Sequence, residues 1–128
     1  MDAQQKVTDS RVLVVNSTKS WDYILAQAHA RACPVVVYFT AYWCAPSKYM
    51  AGFFENLALK YPDILFLLVD VDEVKRVKDK MEVKAMPTFL LMKNDVQVDK
   101  IVGANADELQ KRVAIFAQMA CKPAQDQA

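Results

Sequence analysis

Pro34-Val35-Val36-Val37-Tyr38-Phe39-Thr40-Ala41-Tyr42-Trp43-Cys44-Ala45-Pro46-Ser47 is the passage from which the rest of the chain can be placed. Val35 to Phe39 is β-branched or aromatic at every position and does not alternate with polar residues. That pattern predicts a strand buried on both faces, as a central parallel strand is. Beyond it, Tyr49, Phe53, Phe54 and Leu57 recur at helical spacing until Tyr61-Pro62, which predicts a helix from Ala45 to about Lys60. Pro46 suits an early helical position, where its missing N–H has no partner to lose. Cys44 therefore sits where a buried strand gives way to a helix.

Three residues after Cys44 stands Ser47, and this pair limits the chemistry. A dithiol reduces a partner's disulfide unaided, because its second sulfur attacks the mixed disulfide made by the first. An alcohol is far less acidic than a thiol and forms no stable counterpart of a disulfide. Cys44 must be released by a thiol from outside the motif.

Outward from this junction, Arg11 to Val15 reads as a first strand, and Ser17 or Ser20 caps a helix to about Arg31 with Trp21, Leu25 and Ala28 on one face. Ile64 to Val69 is another continuous apolar strand, and a charged helix follows from about Asp72 to Lys80. Thr88 to Met92 and Val96 to Val102 form a hairpin closed by Asn94-Asp95, a turn without the usual glycine. Asn105, with Glu108 three residues on, opens a last helix through about Met119 with Leu109, Val113 and Phe116 facing inward. The order β-α-β-α-β-α-β-β-α predicts an α/β fold, a central mixed β-sheet with helices on both faces. The expected organisation is one domain over residues 1–128, with its core at about 10–120 and a loose polar tail at 121–128.

Sixteen basic and fifteen acidic side chains leave a formal charge of +1, and no basic run interleaves with aromatics. Nucleic acid is thus not an expected partner. No apolar run approaches a membrane span, so no membrane partner is expected. The first thirty residues show neither a secretory nor a transit pattern. Three cysteines, an odd count at low density, argue against a disulfide framework and for a reducing compartment, read as the cytoplasm. His29 lies on an amphipathic helix without ligand-spaced neighbours, so no internal metal site is expected.

Three segments in order, Pro34 to Lys48, Met86-Pro87-Thr88 and Val102-Gly103-Ala104, resemble the thioredoxin family over roughly residues 10–120. Trp-Cys-x-Pro-Ser together with Asp70-Val71-Asp72-Glu73 and Ala85-Met86-Pro87-Thr88-Phe89 is similar to the plant thioredoxin-like group called CXXS, related to cytosolic h-type thioredoxins. The resemblance implies the thioredoxin fold, with Cys44 as the attacking cysteine at a helix start whose free N–H groups and dipole favour the thiolate. Otherwise Cys44 is a small buried hydrophobe. Ser47 either donates a hydrogen bond to that thiolate or is a solvated serine of the first helical turn. By the same resemblance Pro46 tunes the cysteine. Pro87 follows a cis bond, and Met86 offers its backbone to an extended substrate as an added strand would. Trp43 and Ala45 flank the substrate site, unless Trp43 is a core aromatic. Gly103 either lets a substrate approach or simply makes a turn.

Besides Ser47, three positions depart from the family, one being Ala45, which replaces the motif's usual glycine. Tyr38 stands six residues before Cys44, where thioredoxins usually bury an aspartate that assists proton transfer at the second thiol. Gly52 stands where many of them kink the helix with proline, so the bend there is left open. No other thiol is placed to resolve Cys44. Cys33 precedes the strand and lies about 23 Å away at ~3.3 Å per residue, against the ~4.4–6.8 Å between Cα atoms that a disulfide needs. In the resembled topology Cys121 is distant too, an exposed thiol open to glutathione or intermolecular pairing.

The expected function is a monomeric monothiol protein-disulfide oxidoreductase or isomerase acting on disulfide- or thiol-bearing client proteins. It has no cofactor, and glutathione or a substrate thiol serves as its resolving partner. The alternative is a non-catalytic, chaperone-like module that holds clients in the same groove. A third reading, an iron–sulfur centre shared by two Cys44 residues and glutathione, has no glutathione-binding signature behind it.

Overall fold

The structure, a computed structural model, describes residues 10–120. The expected tail at 121–128 and Cys121 lie outside them. Strands β1 (Val12–Val15), β2 (Val35–Thr40), β3 (Leu65–Asp70), β4 (Thr88–Lys93) and β5 (Val96–Val102) form one sheet in the order β1-β3-β2-β4-β5. β1, β3 and β2 are mutually parallel, and β4 runs antiparallel to β2 and β5. Helix α1 (Thr18–Ala30) precedes β2; α2 (Ala45–Tyr49) and α3 (Ala51–Lys60) follow it; α4 (Lys75–Lys80) and α5 (Ala106–Ala120) complete the order.

β2 is central and buried from Val35 to Phe39, as its unbroken apolar run requires. The two-residue period of a strand divides its side chains between two cores. Val35, Val37 and Phe39 pack with Leu67, Val69 and Leu90 under Trp21 and Ala28 of α1 and Val77 of α4. Val36 and Tyr38 pack with Phe66, Phe89 and Leu91 under Phe54 and Leu57 of α3 and Leu109, Val113 and Phe116 of α5. Helices therefore cover both faces of the mixed sheet. At the centre of the second core, Phe54 lies 4.9 Å from the Tyr38 ring and 5.3 Å from that of Phe66. Phe54→Ala should destabilise the fold by about 3–5 kcal/mol, the usual cost of an emptied aromatic site. Urea unfolding measures this directly.

Local chemistry decides the boundaries. Ser17 and Ser20 act together: the Ser20 N–H donates to Ser17 Oγ at 3.0 Å and the Ser17 N–H to Ser20 Oγ at 3.2 Å, a reciprocal cap. Asn94 and Asp95 both take positive φ, 53° and 66°, so they make the hairpin turn without glycine. Asn105 Oδ1 accepts the Glu108 N–H at 3.0 Å and opens α5.

Two expected helices are shorter than the sequence suggests. The one expected from Asp72 begins only at Lys75, because Asp70 engages the intervening amides first. Its side chain accepts from the Asp72 N–H at 2.9 Å and its carbonyl from Glu73 and Val74 at 3.0 Å each. The helix expected over Ala45 to Lys60 breaks at Met50. Tyr49 is 63% exposed, its ring 5.4 Å from that of Phe53, and Met50 is the buried residue, four residues before Phe54 on the inner face.

Candidate functional site

The end of β2, the first turn of α2 and the loop entering β4 meet at one end of the sheet. Cys44 is the N-cap of α2, with its carbonyl accepting the Lys48 N–H at 3.0 Å and its own N–H donating to the Ala41 carbonyl at 3.0 Å. Its side chain does not cap the helix; the half-buried Sγ donates to the Met86 carbonyl at 3.6 Å. Ala45 and Pro46 lie beside it, both exposed.

The Met86–Pro87 bond is cis. Pro87 is buried, and its carbonyl accepts the Gly103 N–H at 2.9 Å, which brings the loop after β5 to the same end. Gly103 has φ +107°, a backbone that side-chain-bearing residues rarely adopt, and a Cβ there meets nothing within 4 Å. The glycine is thus required by its turn, and the space in front of it is open. The loop before β4 is tied at Thr88, whose hydroxyl donates to the Ala85 carbonyl at 2.6 Å.

Trp43 is no core aromatic. It is 60% exposed, and its indole N–H donates to Asp72 Oδ2 at 2.6 Å across the mouth of the site. The Asp70 turn that delays α4 is what holds Asp72 there. Tyr42 and Tyr49, close to Cys44 along the chain, are also largely exposed.

Ser47 corrects both readings made of it. It is 0% exposed, so it is not a solvated helix-start serine, and its hydroxyl is paired with Thr40 Oγ1 rather than with the Cys44 sulfur. Its carbonyl accepts two donors, the Met50 N–H at 3.0 Å and the Tyr38 hydroxyl. Thr40 and Asp72 are the functional neighbours the sequence reasoning missed. The two-residue strand period from Tyr38 to Thr40 was the available signal for the first; nothing local identified Asp72 as the partner of Trp43.

The other described thiol stands apart. Cys33 precedes β2 where Cys44 follows it, so the whole strand separates them, and both are free. Burial pushes the Cys33 thiol up, and its Sγ lies 3.5 Å from the Pro34 carbonyl and 3.7 Å from that of Asp63. Native protein treated with iodoacetamide at neutral pH should alkylate Cys44 at least roughly tenfold faster than Cys33. Peptide mapping by mass spectrometry reads both rates. Among the described residues, no three His, Cys, Asp or Glu side chains gather as a metal set, and no helix is long and apolar enough to cross a membrane.

With this geometry, the Thioredoxin family model matches residues 12–115. The chain belongs to the thioredoxin family. This thioredoxin is 54% identical over 109 residues to the Thioredoxin-like protein CXXS1 of Arabidopsis thaliana, covering 85% of its own length and 92% of that relative's. It is 48% identical over 120 residues to the protein of the same name from Oryza sativa subsp. japonica, covering 92% and 90%. Among solved structures, Thioredoxin NaTrxh from Nicotiana alata superposes with a TM-score of 0.80 at 37% identity, covering 84% of this chain and 93% of that one. Its α/β architecture is the thioredoxin fold, and it is a redox protein of that family.

Proposed function

We propose that this thioredoxin is a monothiol protein-disulfide oxidoreductase and isomerase in which Cys44 is the catalytic nucleophile. One observation carries the reading: the Cys44 sulfur stands at 3.6 Å from the Met86 carbonyl, on the open side of the site, while the residue at the second position, Ser47, is a buried hydroxyl. An extended client segment lies along Met86 as an added strand, between Trp43 and the open space at Gly103, with Ala45 and Pro46 below it. This places a client disulfide at the thiol.

The Cys44 thiolate attacks one sulfur of the client disulfide. A Cys44–client disulfide forms, and the client's other sulfur leaves as a thiolate that takes up a proton. In isomerisation a second client thiolate then attacks the client sulfur of that bond, makes a new client disulfide and returns Cys44 as the thiolate, with no net oxidation. In reduction one glutathione attacks the mixed disulfide and a second resolves the glutathione disulfide so formed. The client gains two electrons and two protons, and oxidised glutathione is released. Such a cycle needs a pool of reduced thiol, which fits the cytoplasm.

The exposed aromatics Tyr42, Trp43 and Tyr49 also favour a second reading, a module that holds clients without turnover. A trapping experiment separates them. Wild type mixed with a scrambled disulfide protein should give, after acid quench, a covalent adduct through Cys44 that glutathione dissolves. Client binding without any such adduct rejects the enzymatic reading in favour of the module.

A further inference from the structure

Two features of the site are unexplained by the Cys44 chemistry. The helix breaks at Met50 although no proline stands between Pro46 and Pro62, and the buried Ser47 is held from below at both of its oxygen atoms. We propose that these are one device, in which Tyr38 and Thr40 are positioning residues that grip Ser47 and thereby set the angle at which α2 presents Cys44. The proposal rests on the reading of Cys44 as the nucleophile.

Sharp kinks in a helix without proline arise at Gly/Ser pairs, at π-bulges or where another group inserts into the i to i−4 ladder, and the last of these is what the hydrogen bonds at Ser47 show. Here the Tyr38 hydroxyl donates to the Ser47 carbonyl, and that carbonyl takes the Met50 N–H, three residues on, at 3.0 Å. Met50, with φ −81° and ψ −10°, is where α2 ends and α3 starts afresh. Gly52 lies two residues too late to be the point of the break, and a Cβ added to it meets nothing within 4 Å, so no close approach requires glycine there.

The hydroxyl is fixed by packing. Tyr38 is 1% exposed, its ring stacked on Phe89 of β4 at 4.9 Å with 19° between planes and tilted against Phe54 of α3 at 4.9 Å. β2, β4 and α3 thus jointly decide where the oxygen stands. Thr40, two residues along β2, points to the same face and holds the Ser47 side chain as Tyr38 holds its backbone. Ser47 is three residues from Cys44 in a helix of only five, so a fixed Ser47 leaves Cys44 little freedom to swing away from the Met86 carbonyl.

Tyr38→Phe removes the hydroxyl and keeps the ring, and the Ser47 carbonyl retains the Met50 N–H as a partner, so the variant should fold. Cys44 alkylation by iodoacetamide should slow several-fold, and kcat for glutathione-dependent disulfide exchange should fall about ten- to hundredfold, as expected for a misplaced reacting group. Alkylation of Cys33, and KM for the client, should stay within twofold. Thr40→Val should lower the same two rates by a smaller factor, still more than twofold, and gives a second measurement should Tyr38→Phe not fold. Cys44 rates within twofold of wild type in every folded variant overturn the proposal. So does an equal loss at Cys33 and Cys44, because that marks general loosening of the fold. If Cys44 alkylation falls as expected while wild type itself catalyses no exchange, the positioning role stands and the oxidoreductase reading fails.

Discussion

With glutathione as the only reductant, the wild-type protein should accelerate refolding of a scrambled disulfide protein, and Cys44→Ser should return that rate to the uncatalysed one. The loss is expected to be complete because no other described thiol reaches the site. Cys33 lies at the opposite end of β2, half-buried with its thiol pushed up by burial. A serine at position 44 would leave two hydroxyls where exchange needs a sulfur. The same logic makes thioredoxin reductase a poor electron source. Such an enzyme delivers electrons to a disulfide, and Cys44 with Ser47 offers none. The measurement is a side-by-side assay of wild type and Cys44→Ser with each electron source, with mixed disulfides followed by mass spectrometry. Equal refolding rates for the two proteins in glutathione, with no adduct on the wild type, would leave only client binding.

Cys44 at its strand-to-helix junction was legible because the signals there are local and agree. An unbroken apolar run demands burial on both faces of β2, and Pro46 suits the start of the following helix. Strand β3 and the closing hairpin followed from the same periodicities. Ser47 was not legible, since its environment is made by Tyr38 and Thr40 from below and no pattern along α2 records that. For the same reason the helix seemed continuous from Ala45 to Lys60. Its apolar spacing is nearly regular across the break, and what interrupts it is a hydroxyl from another element. The partner of Trp43 was hidden too, because Asp72 reaches the indole only through the Asp70 turn, 29 residues further along the chain. Sequence periodicity shows which face of an element is buried. It does not show which polar atoms meet there.

Those meetings decide what happens when the missing sulfur is put back. Ser47→Cys should give a protein that accepts electrons from thioredoxin reductase far better than wild type, because the pair can now close as a disulfide. Its rate should still fall short of a dithiol thioredoxin by roughly 10²–10⁴, the usual contribution of a placed general acid or base. The new thiol inherits the place of Ser47, which is 0% exposed and faced by Thr40 and Tyr38 rather than by a carboxylate. It must lose its proton there before it can attack the mixed disulfide, and no carboxylate faces it to take that proton. Adding Tyr38→Asp to Ser47→Cys should recover at least about tenfold of that deficit by supplying the base. That gain comes with a loss of stability of about 3–5 kcal/mol, because the ring packed between Phe54 and Phe89 is removed. The assays are therefore best made at low temperature, with the folded fraction measured alongside. If Ser47→Cys alone reaches the full dithiol rate, the buried surroundings of position 47 place no constraint on resolution, and the serine is the whole difference between this site and a dithiol one.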